Sequence, residues 1–437
     1  MWTLRMWSLW RIGRSCSAHR NLTSVQSTGY VEFIRIVFIS SAVPRRCGIA
    51  TFTGDLIAAL RARDHPTTCR IAAIDEPGAL RAYKSDVRWR IHQGDVESYR
   101  AAARSISLSN ADAVSVQHEF GLYGEFHEPT SADGRNGSIY EDYLADFLRE
   151  LRKPVVTTMH TVLPNPSASM RKTVRAISEL SDEIVVMAET AVDLLLSDYG
   201  ISASPRVIPH GTPVIEPHGR ATFKAKLGVK GRSLISTFGL VDPRKGLEYM
   251  IGAMPEVVAQ HPDAIYLIAG QTHPDLLRDQ GETYRNSLVA LTRSLGMSDH
   301  VGFIDQYMSQ HDIIELLLAT DVYVTPYLDP NQITSGTLSY ALGAGKAVVS
   351  TRYLHAAEAL DHGRGTLVGF RDAQQLGRAV NAILGDPKLK QSMEHKTFAY
   401  AHEATWPRAA KAFLDVVGEV VAHDSARALG NGAGERP

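Results

Sequence analysis

Cysteine is scarce: three residues in a chain of 437. Cys16, Cys47 and Cys69 show neither metal-ligand nor redox spacing, and an odd number does not suit a disulfide framework. They read as free thiols of a reducing compartment. No uncharged apolar run reaches the ~18 residues that a membrane-spanning helix needs, so only peripheral membrane contact is left open. Net charge is lacking too. Lys and Arg number 46 against 47 Asp and Glu, a balance of -1, which gives no summed positive potential for a dedicated nucleic-acid or polybasic lipid binder. Gly (34) and Pro (20) are near average, which excludes collagen-like and low-complexity chains. There is no G-x-G-x-x-G, which counts against a dinucleotide oxidoreductase, and no P-loop.

What the chain does have is a long alternation of buried-strand and helix patterns. The runs Ile34–Ser40, 70–74, 113–117, 154–159 and 183–187 are continuous in apolar residues, as strands covered on both faces are. Helical periods separate them, such as Phe52, Leu56 and Leu60, and the face made by Tyr140, Tyr143, Leu144, Phe147, Leu148 and Leu151. The pattern restarts with strands at 234–238, 265–269, 301–303, 322–325 and 347–350, with Ser309 and Asp312 resembling a capping box. The fold class is therefore α/β, two doubly wound domains in tandem. The proline-rich stretch 202–231 marks the junction. We place the first domain at 31–205, joined by a returning helix at 406–422, and the second at 206–405. Residues 1–30 hold four arginines and three tryptophans but no acidic residue, and read as a disordered extension, with a transit peptide or a lipid-lying segment as the other readings. Residues 424–437 read as a disordered tail and 125–138 as a mobile surface loop.

Open α/β sheets bind ligands beyond the carboxyl ends of their strands, so the informative residues follow strands. After the first strand comes Pro44-Arg45-Arg46-Cys47-Gly48, where Gly48 allows close backbone approach and a helix start faces the cleft. After later strands stand His118 with Glu119, and His160; each histidine suits a polar substrate or a satisfied structural role. No cluster with metal-ligand spacing surrounds them, so no metal site is expected. The second domain opens with Gly239 to Gly246, and its Arg244 and Lys245 suit a diphosphate. The segment Gln332 to Tyr340 reads as a polar loop running into a short helix. Thr334, Ser335, Gly336 and Thr337 there offer hydroxyls and free amides to a phosphate.

With these residues in place the chain resembles the retaining glycosyltransferases of family 4, the group 1 glycosyltransferases, from about Ile34 to Val421. The resemblance is carried by the Pro44–Thr51 loop, Thr158-Met159-His160, Val207-Ile208-Pro209-His210-Gly211, the Gly239–Gly246 loop and the Thr334–Val349 block. It implies a GT-B fold, two facing Rossmann-like domains with a cleft between them, and a last helix that crosses back onto the first domain. It implies a nucleotide-diphosphate sugar, GDP-mannose by preference, held by the second domain as co-substrate, and a glycan or lipid-linked hydroxyl acceptor held by the first. By the same resemblance Lys245 grips the donor diphosphate, Gly48 lies near the phosphates, His160 lies beside the transferred sugar, and the helix start at 335–337 is the donor-phosphate site. His118 and Glu119 are candidate acceptor or sugar contacts. The family's two glutamates fall here at Gln332 and Tyr340, which keep hydrogen bonding but not charge, and Arg244 stands in for an arginine that falls at Leu240. The expectation is a metal-independent hexosyltransferase without cofactor, cytoplasmic or at the inner face of the membrane. A GT-B phosphorylase or epimerase and a non-catalytic sugar or nucleotide binder stay open as alternatives.

Overall fold

The structure is a computed structural model and describes residues 33–63, 67–127, 139–202 and 204–432. Its first sheet has seven strands in the order β3-β2-β1-β4-β7-β8-β9. These are β1 Arg35–Ser40, β2 Thr68–Asp75, β3 Val87–His92, β4 Ala113–His118, β7 Val155–Met159, β8 Glu183–Val186 and β9 Arg206–Val207; β5 Gly124–His127 and β6 Ile139–Asp142 form a separate antiparallel pair. The second sheet runs β12-β11-β10-β13-β14-β15, built from β10 Ser233–Phe238, β11 Ala264–Ala269, β12 Val301–Ile304, β13 Val322–Thr325, β14 Ala347–Thr351 and β15 Gly365–Val368. In each, the first strand pairs in parallel with the second on one side and with a later strand on the other, as β1 does with β2 and β4, and β10 with β11 and β13. That reversal of strand order opens a crevice at the carboxyl ends.

Both sheets are covered on two faces, which is why their central strands are apolar throughout. In the first sheet, Val37, Ile39 and Val116 face one core and Ile36, Phe38 and Val156 the other. The second core is completed by the helix Trp406–Gly432, which returns to the first domain. Phe413 stacks on Phe38 at 6.0 Å between ring centroids, and Val416 and Val417 join the same cluster. The expected crossover is present and is longer than the sequence indicated. Residues 424–432, expected as disordered tail, continue this helix. Ala426, Ala428 and Leu429 extend it, and two of the glycines that suggested disorder, Gly430 and Gly432, fall in its last turn.

Two other expectations change. Tyr140 belongs to β6 rather than to the helix that follows, which spans only Leu144–Glu150; residues 125–127 of the 125–138 segment are part of β5, β6 follows the segment, and residues 128–138 lie outside the described residues. So does the extension expected over 1–30, and so do residues 433–437. The Ser309–Asp312 capping box is formed. Among the described residues no helix is long and apolar enough to cross a membrane.

Candidate active site

A cavity of about 710 Å³ opens between the carboxyl ends of the two sheets. On the first-domain side the chain leaves β1, turns, and starts the helix Gly48–Arg61, whose cap is the Cys47 side chain accepting from the Ala50 amide. Cys47, Gly48 and Arg46 all line the cavity. Arg46 reaches across the cleft: Nη1 donates to Gln271 Oε1 at 2.9 Å, and the guanidinium lies 5.4 Å from the centre of the Tyr307 ring. His160 is buried at the end of β7, and its Nε2 is 2.9 Å from Gln117 Oε1. Gln117 gives its own amide protons to Ser115 Oγ at 2.9 Å, so its carbonyl oxygen takes the Nε2 proton and Nδ1 keeps its lone pair. Burial, and then the neighbouring His210 and His118, pull the His160 pKa down to about 3. It stays neutral at any physiological pH.

The second-domain wall begins at Gly239 after β10. Gly239 and Gly270, which follows β11, both take positive φ (127° and 145°), and a Cβ on Gly270 would sit 1.9 Å from the Gly239 carbonyl oxygen. Only glycine lets the two strand ends approach this closely. Beyond them, Asp242 caps the short 3-10 turn Pro243–Lys245 by accepting the Arg244 amide at 2.8 Å. The same carboxylate holds the Arg244 guanidinium in a two-bond fork of 2.9 and 2.8 Å, so Arg244 enters the site already paired. Lys245 is not paired in this way. Its ammonium lies 3.8 Å from the centre of the Tyr327 ring, and burial lowers its pKa to about 8 against the opposing pull of Asp242. It is the cation an incoming anion would stabilise most.

Next to Lys245, across the Tyr327 ring, is the start of the helix Gly336–Gly343, with the Tyr327 hydroxyl 2.6 Å from Thr337 Oγ1. Ser335 caps it, accepting the Leu338 amide at 3.3 Å, and the Ser335 amide donates to His355 Nδ1 at 2.9 Å. Gly336 and Thr337 line the cavity, and their first-turn amides have no intrahelical acceptor. His210 completes this corner. Its Nδ1–H donates to the Gly211 carbonyl at 2.8 Å, leaving Nε2 as an acceptor, 3.2 Å from where a Gly336 Cβ would stand. Burial lowers the pKa values of His210 and His355 to about 4 each. Gln332 and Thr334 line the same wall, with Gln332 Nε2 donating to the Thr334 carbonyl at 3.2 Å.

Of the residues singled out from sequence, the cavity brings together Gly48, Glu119, His160, Gly239, Arg244, Lys245, Gln332, Thr334, Gly336, Thr337 and Tyr340. Two do not reach it. His118 is fully buried, stacked parallel to Tyr123 at 5.9 Å with Nε2 3.7 Å from Asp142, and belongs to the first-domain interior. Its place as the last residue of β4 suggested exposure, but its side chain turns to the core. Ser335 is buried as the helix cap rather than facing the cavity. Glu119 does face it, with Oε2 accepting from Thr161 Oγ1 at 2.9 Å and burial raising its pKa. Sequence reasoning missed Arg46, Asp55, His210 and Gln310 as lining residues. The arginine pair beside Gly48 was a signal for Arg46, and the 207–211 run that carries the resemblance was one for His210; Asp55 and Gln310 had none. Among the described residues no three His, Cys, Asp or Glu side chains gather as a metal-binding group.

Comparison with known proteins agrees with this geometry. Residues 219–399 match the family Glycosyl transferases group 1. A GDP-mannose-dependent alpha-(1-6)-phosphatidylinositol monomannoside mannosyltransferase of Mycolicibacterium smegmatis is 26% identical over 234 residues, 51% of this chain and 58% of that protein. A D-inositol 3-phosphate glycosyltransferase of Streptomyces bingchenggensis is 23% identical over 292 residues, 62% of each. The first curated relatives are matched over only about half of their own length. Among solved structures, Anabaena Alr3699/HepE in complex with UDP and glucose superposes with a TM-score of 0.67 at 15% identity, covering 88% of this chain and 100% of that one. Sucrose-phosphate synthase from Thermosynechococcus elongatus does so with a TM-score of 0.67 at 16% identity, covering 89% and 100%. The fold is thus GT-B, and residues 219–399 match the group 1 glycosyltransferase family.

Proposed function

We propose that this protein is a retaining, metal-independent glycosyltransferase that moves a hexose, mannose by preference, from a nucleotide-diphosphate sugar to a hydroxyl of a glycan or lipid acceptor. The observation that carries the reading is that Lys245 and the helix start at Gly336–Thr337 line one cavity and are joined through Tyr327, whose ring lies under the ammonium and whose hydroxyl meets Thr337 Oγ1 at 2.6 Å. A half-buried ammonium beside helix-start amides is what a departing diphosphate requires, since the charge that develops on it is met by donors already in place. Two relatives named as GDP-mannose-dependent enzymes support mannose as the sugar and GDP as the carrier.

In the proposed reaction the acceptor hydroxyl attacks the anomeric carbon on the face from which the diphosphate leaves. The new C–O bond forms as the anomeric C–O bond to the β-phosphate breaks. The diphosphate keeps the electron pair, and one of its oxygens takes the hydroxyl proton. Lys245 and the Gly336 and Thr337 amides stabilise that charge. The neutral His160, with its Nδ1 lone pair free, accepts a hydrogen bond from the sugar and cannot act as an acid. We place the reaction in the cytoplasm or at the inner face of the membrane, where nucleotide sugars and lipid-linked acceptors meet.

The test is product analysis by proton NMR with GDP-mannose, and in parallel UDP-glucose, in the presence of EDTA and a panel of glycan and lipid acceptors. An α-linked product from an α-linked donor is expected. A product of inverted configuration, or one formed only when a divalent metal is restored, contradicts the reading.

A further inference from the structure

Asp55, Glu119 and Asp242 are the carboxylates lining the cavity among the described residues, and they are not equivalent. Asp242 is held in a fork by Arg244. Glu119 accepts from Thr161 Oγ1 and from the Phe120 amide on its two oxygens. Asp55 stands on the helix Gly48–Arg61 of the first domain and accepts one described hydrogen bond, at Oδ2, from the Tyr340 hydroxyl of the second domain at 2.9 Å. The direction of that bond is set by Gln310, whose Nε2 donates to the same hydroxyl at 3.0 Å and leaves the tyrosine its proton to give. Asp55 Oδ1 has no donor among the described residues and is not enclosed by protein. A carboxylate fixed across a cleft with one oxygen free is an acceptor for ligand hydroxyls.

Its position says which hydroxyls. Tyr340 follows Gly336 by four residues, one turn and ~6 Å along the same helix face. If phosphates sit on the helix start, the Asp55–Tyr340 pair lies about one sugar ring further on. Gln310, whose amide meets the Tyr340 hydroxyl, lines the cavity together with Met308 and Ile313, a mostly apolar surface beside Tyr340 suited to a base. We propose that Asp55, oriented by Tyr340, accepts hydrogen bonds from the ribose hydroxyls of a nucleoside diphosphate, so that donor recognition is shared between the domains. This rests on the nucleotide-sugar reading above, which it deepens by naming a residue that selects the donor's pentose.

The test is calorimetric titration of the full chain with GDP and 2′-deoxy-GDP, and with UDP and 2′-deoxy-UDP as the second pair. The wild-type protein is expected to prefer the ribonucleotide of at least one pair by about tenfold or more, the scale of a hydrogen bond to a charged acceptor. In Asp55→Ala the two members of a pair should bind alike, the ribonucleotide having lost about tenfold more than the deoxynucleotide, and measurable binding of both reports an intact site. Asp55→Asn, which retains one acceptor, should lie between, and Tyr340→Phe should lose part of the preference. A preference that survives Asp55→Ala, or equal binding of both members of each pair by the wild type, overturns the inference while leaving the transferase reading standing. Failure of every nucleotide to bind overturns both.

Discussion

In the proposed reaction Lys245 is the residue on which the chemistry depends most. Its neighbour Arg244 has a larger and always charged head, but that head is already bound to Asp242. Lys245 faces the cavity with an aromatic ring beneath it and a pKa lowered to about 8 by burial. A lysine is charged below its pKa, so nucleotide affinity should be level below pH ~8 and fall as pH rises through it, approaching tenfold per unit. Titration across pH 6.5–10 checks this. Lys245→Arg, whose charge persists, should flatten the alkaline limb even where geometry costs it affinity. Lys245→Ala should lower kcat by about 10²–10³, the usual cost of removing a donor aimed at developing charge; full activity in that variant would remove Lys245 from the mechanism.

At the scale of elements, one domain caps a helix of the other. The helix Glu189–Ser197 begins at Ala188, which has no side chain to offer. Glu358, on the helix Leu354–Ala359 of the other domain, supplies the cap: its carboxylate accepts the Glu189 and Thr190 amides at 3.0 Å each and the Thr190 hydroxyl at 2.7 Å. Losing a cap of this kind costs about 1 kcal/mol, more with the charge aimed at a helix N-terminus. Glu358→Ala should show that loss in urea unfolding, and Glu358→Gln should recover part of it; an unchanged midpoint would mean that water replaces the cap fully. Such a contact is illegible in sequence, since nothing near Ala188 announces a partner 169 residues away. The same holds for Asp55 and Tyr340, 285 residues apart. Legibility followed burial. Strands covered on both faces, such as Ala113–His118, stood out as unbroken apolar runs. The edge strand Val87–His92 did not, because its outward positions are Arg88, Arg90 and His92, and Gly365–Val368 is short and begins with glycine. The loops proposed to hold the phosphates were readable because glycine, hydroxyl and cationic residues cluster locally; residues that reach across the cleft were not.

For the molecule as a whole, three neutral histidines meet where the domains join, His160 and His355 buried and His210 half-buried. His160 and His210 both pack edge-on against Phe52, at 4.6 and 5.1 Å, and Trp406 at the start of the returning helix closes the same ring at 5.2 Å. His355 holds the capping serine. Their folded pKa values of about 3, 4 and 4 lie below the ordinary 6.5. The unfolded chain therefore binds protons first, and stability present above pH ~6.5 is lost as pH falls toward 4, by up to about 1.4 kcal/mol per pH unit for each histidine. Denaturant unfolding at pH 7, 6 and 5 should show a steady decline, and His355→Asn should decline less steeply. The central claim is that this inter-domain cavity is a nucleoside-diphosphate site built on Lys245 and the Gly336 helix start. Calorimetric titration with GDP and GMP, and with UDP and UMP, at pH 7 in wild-type protein and in Lys245→Ala tests it most directly. The account predicts that one diphosphate binds at least about tenfold tighter than its monophosphate, and that the difference collapses in the variant, since a charge-assisted contact of this kind is worth roughly 1.5–3 kcal/mol. Equal binding of di- and monophosphate in the wild type, or a preference untouched by the substitution, would contradict it.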